Sequence, residues 1–438
     1  MSGLEIESLL SGYKYAEARL ESGSEAVVRI QDDEVKVNSG SWRGASVRVL
    51  QDGSWGFASS NDVSDMRGLL EKAARLASLD KGKIKLAGAN HERRTIDGSL
   101  ERVPVEEQVE ALLDAKKDMA GAKITSCRIA CSDSAVRKEF YSSEGAAIIQ
   151  DIGYAYLSCS CVAQDSGMII RGVETSASRK GFHGLELHKA AVSSREKAER
   201  LVGAPVAPRG KFTVVLDPEL SGVFAHEAMG HAVEADSVTD RESILAGKVG
   251  KTIGNGLLSI VDDPTADDFG AYAYDDEGME AKKTLVLDKG VLKGYINSRE
   301  TAEETRDGPN GHARADGYDS VPIVRMSNTY VLPGEQSREE VFDVKHGVYL
   351  KGMKGGSVDI FSGGFMFKAE EAYVIENGVL GPVMRDAALS GDILTTLKNV
   401  AAVGRDFGTS PGMCGKNGQE APVSDGGPHI RVDNMMVG

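Results

Sequence analysis

The sequence predicts an α+β protein in two parts: an N-terminal α+β domain over residues 1–202, with an antiparallel or mixed sheet and flanking helices, and a mostly β domain over residues 203–438. Three observations predict it. Stretches such as "SEAVVRIQDDEVKVNSG" and "ASVRVLQDGSWGFASS" alternate apolar and polar residues, as half-buried strands do. Segments of helical period follow them in the first half, whereas the second half is rich in strands and glycine turns. Between the halves, "GAPVAPRG" (203–210) holds two prolines and two glycines and reads as a linker.

Taken in order, Asp52-Gly53 marks a hairpin turn between the first strands. In "NDVSDMRGLLEKAARLASL", Met66, Leu69, Leu70, Ala73 and Leu76 recur at helical spacing. "PVEEQVEALLDAKKDMA" predicts a second amphipathic helix, a meander of strands runs from about 123 to 176, and "ELHKAAVSSREKAERLV" closes the unit as a helix. Past the linker, "KFTVVLD" reads as a buried strand leading into a helix. "TLVLDKGVLKGYINS" and "AYVIENGVLGPVM" then read as hairpins with tight glycine turns.

Composition narrows the function. A net charge of −15 repels phosphate backbones, which excludes direct nucleic-acid binding. No run of eighteen apolar residues exists, so no membrane span is expected. "MSGLEIESLL" carries acids where a signal peptide is basic, which predicts a cytoplasmic protein. Five cysteines, an odd number, argue against a disulfide framework. Cys127, Cys131, Cys159 and Cys161 lie in apolar strand-like segments and read as core residues. Cys414 lies in "GTSPGMCGKNGQ", a glycine-rich stretch that gives it nothing to pack against.

The chemistry concentrates in "LDPELSGVFAHEAMGHAVEAD". Asp217 is placed to cap a helix that Pro218 opens, and Glu219 suits its first turn. The helix so predicted, about eighteen residues long, carries His226, Glu227 and His231. Histidines four apart lie about 40° from alignment and can share an ion, whereas histidines five apart lie about 140° from it. A π-type turn, with its i→i+5 bonds, restores a common face. The spacing therefore predicts a widened turn near Ala228 to Gly230, with Gly230 absorbing the distortion. Two imidazoles suit Zn2+, and Glu227 beside a ligand suits a general base. The third ligand is open among Glu234, Asp236, His312, His429 and Cys414. Cys414 is favoured, because a thiol in a polar loop needs a reason to be there. On this reading the mostly β domain carries the metal-binding helix.

These residues, with "RGASVRVLQDGSWGFASSND", "YDDEG", "RMSNTYVLPG", "GGSVDIFSGGFMFKAEEAYVIENG" and "GMCGKNGQ", resemble the TldD/PmbA family, metallopeptidases also described as modulators of DNA gyrase. The resemblance spans nearly the whole chain and follows the TldD branch. It implies that His226, His231 and Cys414 hold zinc and that Glu227 is the catalytic glutamate. It also implies small, unfolded or extended peptides as substrates, and a homodimer or a heterodimer with a TldE/PmbA-like subunit.

Other residues are candidates for holding substrate. His312, Arg314 and Tyr318 lie in the glycine-flanked "GPNGHARADGYDS", where a side chain could steady an oxyanion or hold the peptide backbone. Gly355 and Gly356 in "GGSVDIF" could offer a strand edge, although close backbone packing explains them as well. Asp275, Asp276 and Glu277 in "YDDEG" read as a solvated acidic turn sooner than as a second metal site. His91, His183, His188 and His346 read as surface residues. The alternative function is a peptide-binding or regulatory subunit whose metal is structural, with four protein ligands, Glu234 as the fourth.

Overall fold

The computed structural model describes residues 2–89, 92–98 and 102–438, so His91 lies outside the described residues. The first sheet has seven strands. Ala16–Gln31 and Glu34–Gln51 form a long antiparallel hairpin, and Ser54–Ser60 continues it through the Asp52-Gly53 turn. Both turn residues have positive φ, 49° and 77°, as the tight hairpin requires. Ile124–Ser142 pairs with the first strand and with Ala147–Asp165, which pairs in turn with Met168–Ser178. The short Arg93–Ile96 strand runs parallel to Ala147–Asp165, so the sheet is mixed.

Helices cover this sheet in two patches. Gly3–Leu10 and Met66–Ala77 bury Ile6, Leu10, Leu69, Leu70 and Ala73 against Ala18, Val47 and Val49. Val105–Lys116 and Leu187–Leu201 bury Leu112, Ala191 and Leu201 against Val28, Ile129 and Leu157. Cys131, Cys159 and Cys161 are buried in that second patch, with Cys127 half-buried beside them.

The second half holds two larger sheets. In one, His346–Asp359 pairs with Gly210–Leu216, which pairs with Ile430–Val437, then Ala387–Asp392, then Gly364–Glu376, which returns to His346–Asp359 and closes the ring. The other has six strands and ends at Gly408–Lys416, which among the described residues pairs only with Gln419–Gly427. The helix Pro218–Ala225 lies between the two sheets, and Leu220, Phe224 and Ala225 join a single core with Val214, Leu350, Phe365 and Val423. The site helix is thus clamped on both sides by rigid strands.

The two halves meet through buried charge. Arg48 Nε lies 2.7 Å from Glu17 and Nη2 lies 2.9 Å from Glu277, with all three side chains no more than 5% exposed. The acidic "YDDEG" turn is accordingly not solvated. Asp275 accepts the backbone N–H groups of Glu277, Met279 and Ala313, and Asp276 pairs with Lys138 at 3.0 Å. Partners from distant parts of the chain, invisible in the local run of charges, make its burial tolerable. His183, His188 and His346 are exposed.

Candidate metal centre

The site helix begins where the sequence places it. Asp217 Oδ1 accepts the Leu220 N–H at 2.9 Å, and Pro218 fills the first turn. The helix is regular to Ala225 and widens into a π turn at His226–Gly230, with the His231 N–H donating to the His226 carbonyl. A 3₁₀ turn, His231–Val233, completes it. The widened turn expected from the histidine spacing is therefore present. Packing helps to hold it: a Cβ on Gly230 would lie 1.9 Å from Met326 Sδ, and Met326 is fully buried. Gly222, one turn before the histidines, is packed as tightly, and its Cβ would fall 2.2 Å from the Gly426 backbone nitrogen.

The turn sets the two imidazoles nearly perpendicular, 84° apart, with centroids separated by 5.0 Å. Cys414 reaches them from the edge strand Gly408–Lys416, with Sγ 3.6 Å from His231 Nε2. One ligand atom from each of His226, His231 and Cys414 lies within 4.8 Å of the others, and among the described residues this is the one such cluster. Ligands on tetrahedral zinc, with Zn–N near 2.1 Å and Zn–S near 2.3 Å, stand about 3.5 Å apart. The donor set and its spacing fit that ion at three corners.

A second layer of contacts aims the ligands. His226 Nδ1 lies 2.6 Å from Asp425 Oδ1, and His231 Nδ1 lies 3.0 Å from Glu234 Oε2. With Nδ1 occupied by a carboxylate, each ring keeps Nε2 available to an ion. Lys416 Nζ holds Glu234 at 3.2 Å and Asp236 at 2.7 Å. Glu234 and Asp236 therefore stand outside the cluster of His226, His231 and Cys414.

The same contacts set the charges. Burial opposes protonation of His226, but Asp425 outweighs it and raises the imidazole well above its usual range. Burial also opposes charge on His231, and Glu234 with Cys414 overrides it, to about 9. Burial pushes the Cys414 thiol up, yet hydrogen bonds from both imidazoles draw it down to about 5. Without metal the cluster holds a thiolate against imidazolium, the protonation pattern that a dication would displace.

Glu227 is partly buried and lines the same cleft, about 610 Å³ in volume, as His226, His231 and Cys414. No hydrogen bond or ion pair engages its carboxylate among the described residues, unlike the carboxylates of Asp425 and Glu234. Met353, Ser357 and Val358 form one wall of the cleft, and Gly412 to Asn417 form the facing wall.

The remaining sequence candidates lie elsewhere. His312 is fully buried, with Nε2 2.9 Å from Asp262 and Nδ1 2.9 Å from Asn310, so it does not reach the cleft. Arg314 is buried over the Tyr272 ring at 4.9 Å and lines a separate cavity. Tyr318 lays its ring against Gly44 of the N-terminal hairpin. Gly355 and Gly356 are exposed at the bulge in His346–Asp359, just before the stretch that walls the cleft. His429 is bound to Asp406 at 2.5 Å and to Tyr349 at 3.2 Å. Sequence reasoning missed Asp425. The available signal was a carboxylate on the return strand of the hairpin that carries Cys414.

The family model described as the PmbA/TldA metallopeptidase C-terminal domain matches residues 209–438, and those for domain 1 and the central domain match 16–79 and 98–203. A metalloprotease of Methanocaldococcus jannaschii is 41% identical, covering 98% of this chain and 98% of its own. A zinc metalloprotease TldD homolog of Saccharolobus solfataricus is 30% identical, covering 98% and 97%. Among solved structures, TldE from Thermococcus kodakarensis superposes with a TM-score of 0.81 at 18% identity, over 100% of both chains. A Thermotoga maritima protein described as a modulator of DNA gyrase gives 0.81 at 22%, again over 100% of both.

Proposed function

The chain belongs to the PmbA/TldD metallopeptidase family, and on that premise we propose that it is a zinc-dependent peptidase of small, unfolded or extended peptides, with Glu227 as its general base. One observation carries the proposal: two imidazoles, a thiol and an unengaged carboxylate converge on one cleft. Bound zinc would supply a Lewis acid that acidifies a water and polarises the scissile carbonyl. His226, His231 and Cys414 would hold it, the imidazoles oriented by Asp425 and Glu234. Glu227, without another partner among the described residues, takes the proton from the attacking water and passes it to the leaving amine.

The cleft walls account for substrate shape. Residues 356–359 pair with Gly364–Glu376 on one side only, and Gly408–Lys416 pairs only with Gln419–Gly427 among the described residues. Each offers a free strand edge beside the cleft. Main-chain hydrogen bonds to such an edge select an extended backbone with little regard to side chains. Glu234 stands outside the three-residue cluster, with Oε2 on His231 Nδ1 and Lys416, which favours an open catalytic site over a four-ligand regulatory one. The proposal extends to a cytoplasmic enzyme that pairs with a second copy or with a TldE/PmbA-like subunit. Among the described residues no helix is long and apolar enough to cross a membrane.

The test is Glu227→Gln. The variant should keep about one zinc per chain by elemental analysis and lose about 10²–10⁴-fold in turnover of an unstructured peptide. Turnover that survives the substitution removes Glu227 from the mechanism.

A further inference from the structure

A second cavity, about 440 Å³, lies against the strand that carries Cys414. Met413 borders both it and the zinc cleft. Alternation along a strand turns Met413 to the face opposite Cys414, so the strand Gly408–Lys416 divides the two spaces. Lys138 and Tyr154 from the first sheet form one wall, and Phe269, Tyr272 and Arg314 from the second half form the other.

Two guanidinium groups, stacked on the cavity-lining rings of Tyr154 and Tyr272, form no ion pair among the described residues. Arg179 stands over the Tyr154 ring at 4.5 Å, and its Nη1 is buried with no hydrogen-bond partner. Arg314 spends one donor on the Met326 carbonyl at 2.6 Å and forms no ion pair among the described residues. A guanidinium has five donors, so both retain unused N–H groups. Buried polar atoms left unpaired call for an explanation, and an absent ligand is one. The nearby acids do not supply it. Asp276 is taken by Lys138, Asp275 by backbone N–H groups and Glu21 by Trp42, while Glu25, Asp316 and Glu420 are exposed. The Tyr154 hydroxyl makes no hydrogen bond among the described residues. Burial raises its pKa, but Arg179, Arg314 and Lys138 more than reverse that, so all three cations act on that hydroxyl.

We propose that this cavity binds a carboxylate of the peptide substrate through Arg314 and the Tyr154 hydroxyl, with Arg179 backing the Tyr154 ring, while the adjoining backbone passes the Gly408–Lys416 strand into the zinc cleft. The inference rests on the peptidase reading. Its chemistry admits two sources, the C-terminal carboxylate or an acidic side chain. If the source is the C-terminus, the chain trims peptides from that end. Paired guanidinium–carboxylate bonds are short and directional, and the aromatic walls suit the side chain next to the carboxylate.

The test uses three N-acetylated unstructured hexapeptides with the zinc-loaded full chain: a free acid, its C-terminal amide, and an amide ending in glutamate. A charge-assisted hydrogen bond predicts kcat/KM at least about tenfold higher for a carboxylate-bearing peptide, with the gain in KM. Preference for the free acid alone assigns the C-terminus, and equal preference for the glutamyl amide assigns any carboxylate. Arg314→Gln, Arg179→Gln and Tyr154→Phe should each reduce the preference. Arg179→Gln and Tyr154→Phe, at partly buried positions, keep the test alive if Arg314→Gln fails to fold. Equal kcat/KM for the acid and both amides overturns the inference, and so does a preference that survives both arginine substitutions. Failure of the peptidase reading looks different, because none of the peptides is cut. Fluorescence anisotropy of N-terminally labelled acid and amide on Glu227→Gln protein then decides the carboxylate site alone: tighter acid binding supports it, and equal binding overturns it.

Discussion

Gly222→Ala should loosen the metal site without touching a ligand. In an isolated helix the change stabilises by about 0.5–1 kcal/mol. Here the new Cβ would stand 2.2 Å from the Gly426 nitrogen and 2.6 Å from the Asp425 carbonyl carbon, against about 3.4 Å for ordinary contact. Both obstacles are backbone of a paired strand, so no side chain can swing aside. The helix and Gln419–Gly427 must part by about 1 Å. Asp425 lies on that strand, 2.6 Å from His226 Nδ1, and the same displacement carries the contact past hydrogen-bond range. Losing an orienting carboxylate costs about 10–100-fold in metal affinity, and overpacking costs about 1–3 kcal/mol of stability. Competition with a chromophoric chelator measures the first and urea unfolding the second. Wild-type zinc affinity in a folded Gly222→Ala protein would refute the coupling between this packing and the site.

Three further outcomes are expected. Zinc must displace a proton from His231, held at about 9, and another from His226, whereas Cys414, at about 5, is already a thiolate at neutral pH. Affinity should therefore rise at least about tenfold per pH unit between 6 and 8, and a flat chelator competition refutes this. Burial and then the Asp217 carboxylate raise Glu219 to about 7, so its contribution is favourable at low pH and is lost as pH rises through 7. Glu219→Gln should gain up to about 3 kcal/mol at pH 8 and little at pH 5, read as melting temperatures. Arg48→Met strands the Glu17 and Glu277 carboxylates in the interior and should cost about 3–5 kcal/mol in urea unfolding.

What the sequence reveals about the site is what local chemistry encodes. The Asp217 cap, the Pro218 start and the wide turn follow from residues within about four helical turns of one another. The hairpin turns at Asp52-Gly53, Lys289-Gly290 and Asn377-Gly378 are likewise local, all with positive φ. Asp425 escaped notice because it is 199 residues from the histidine it orients. His312 looked like a loop residue because glycines flank it, yet it is sealed by Asp262, 50 residues away. The charges of "YDDEG" read as solvated until Lys138 and Arg48, from the other half of the chain, supply their partners. Pairing at long range has no signature in a short window.

The π turn also bears on ancestry. It is an α-helix with one residue more than its register allows, and the surplus lies between Glu227 and His231. Deleting that residue would restore the commoner five-residue protease motif on paper. The turn would then relax to an α-helix, with the histidines about 40° from alignment and still able to share an ion. A search keyed to the shorter motif passes over such a chain, and one keyed to the six-residue spacing with a cysteine hairpin and a returning aspartate would find it.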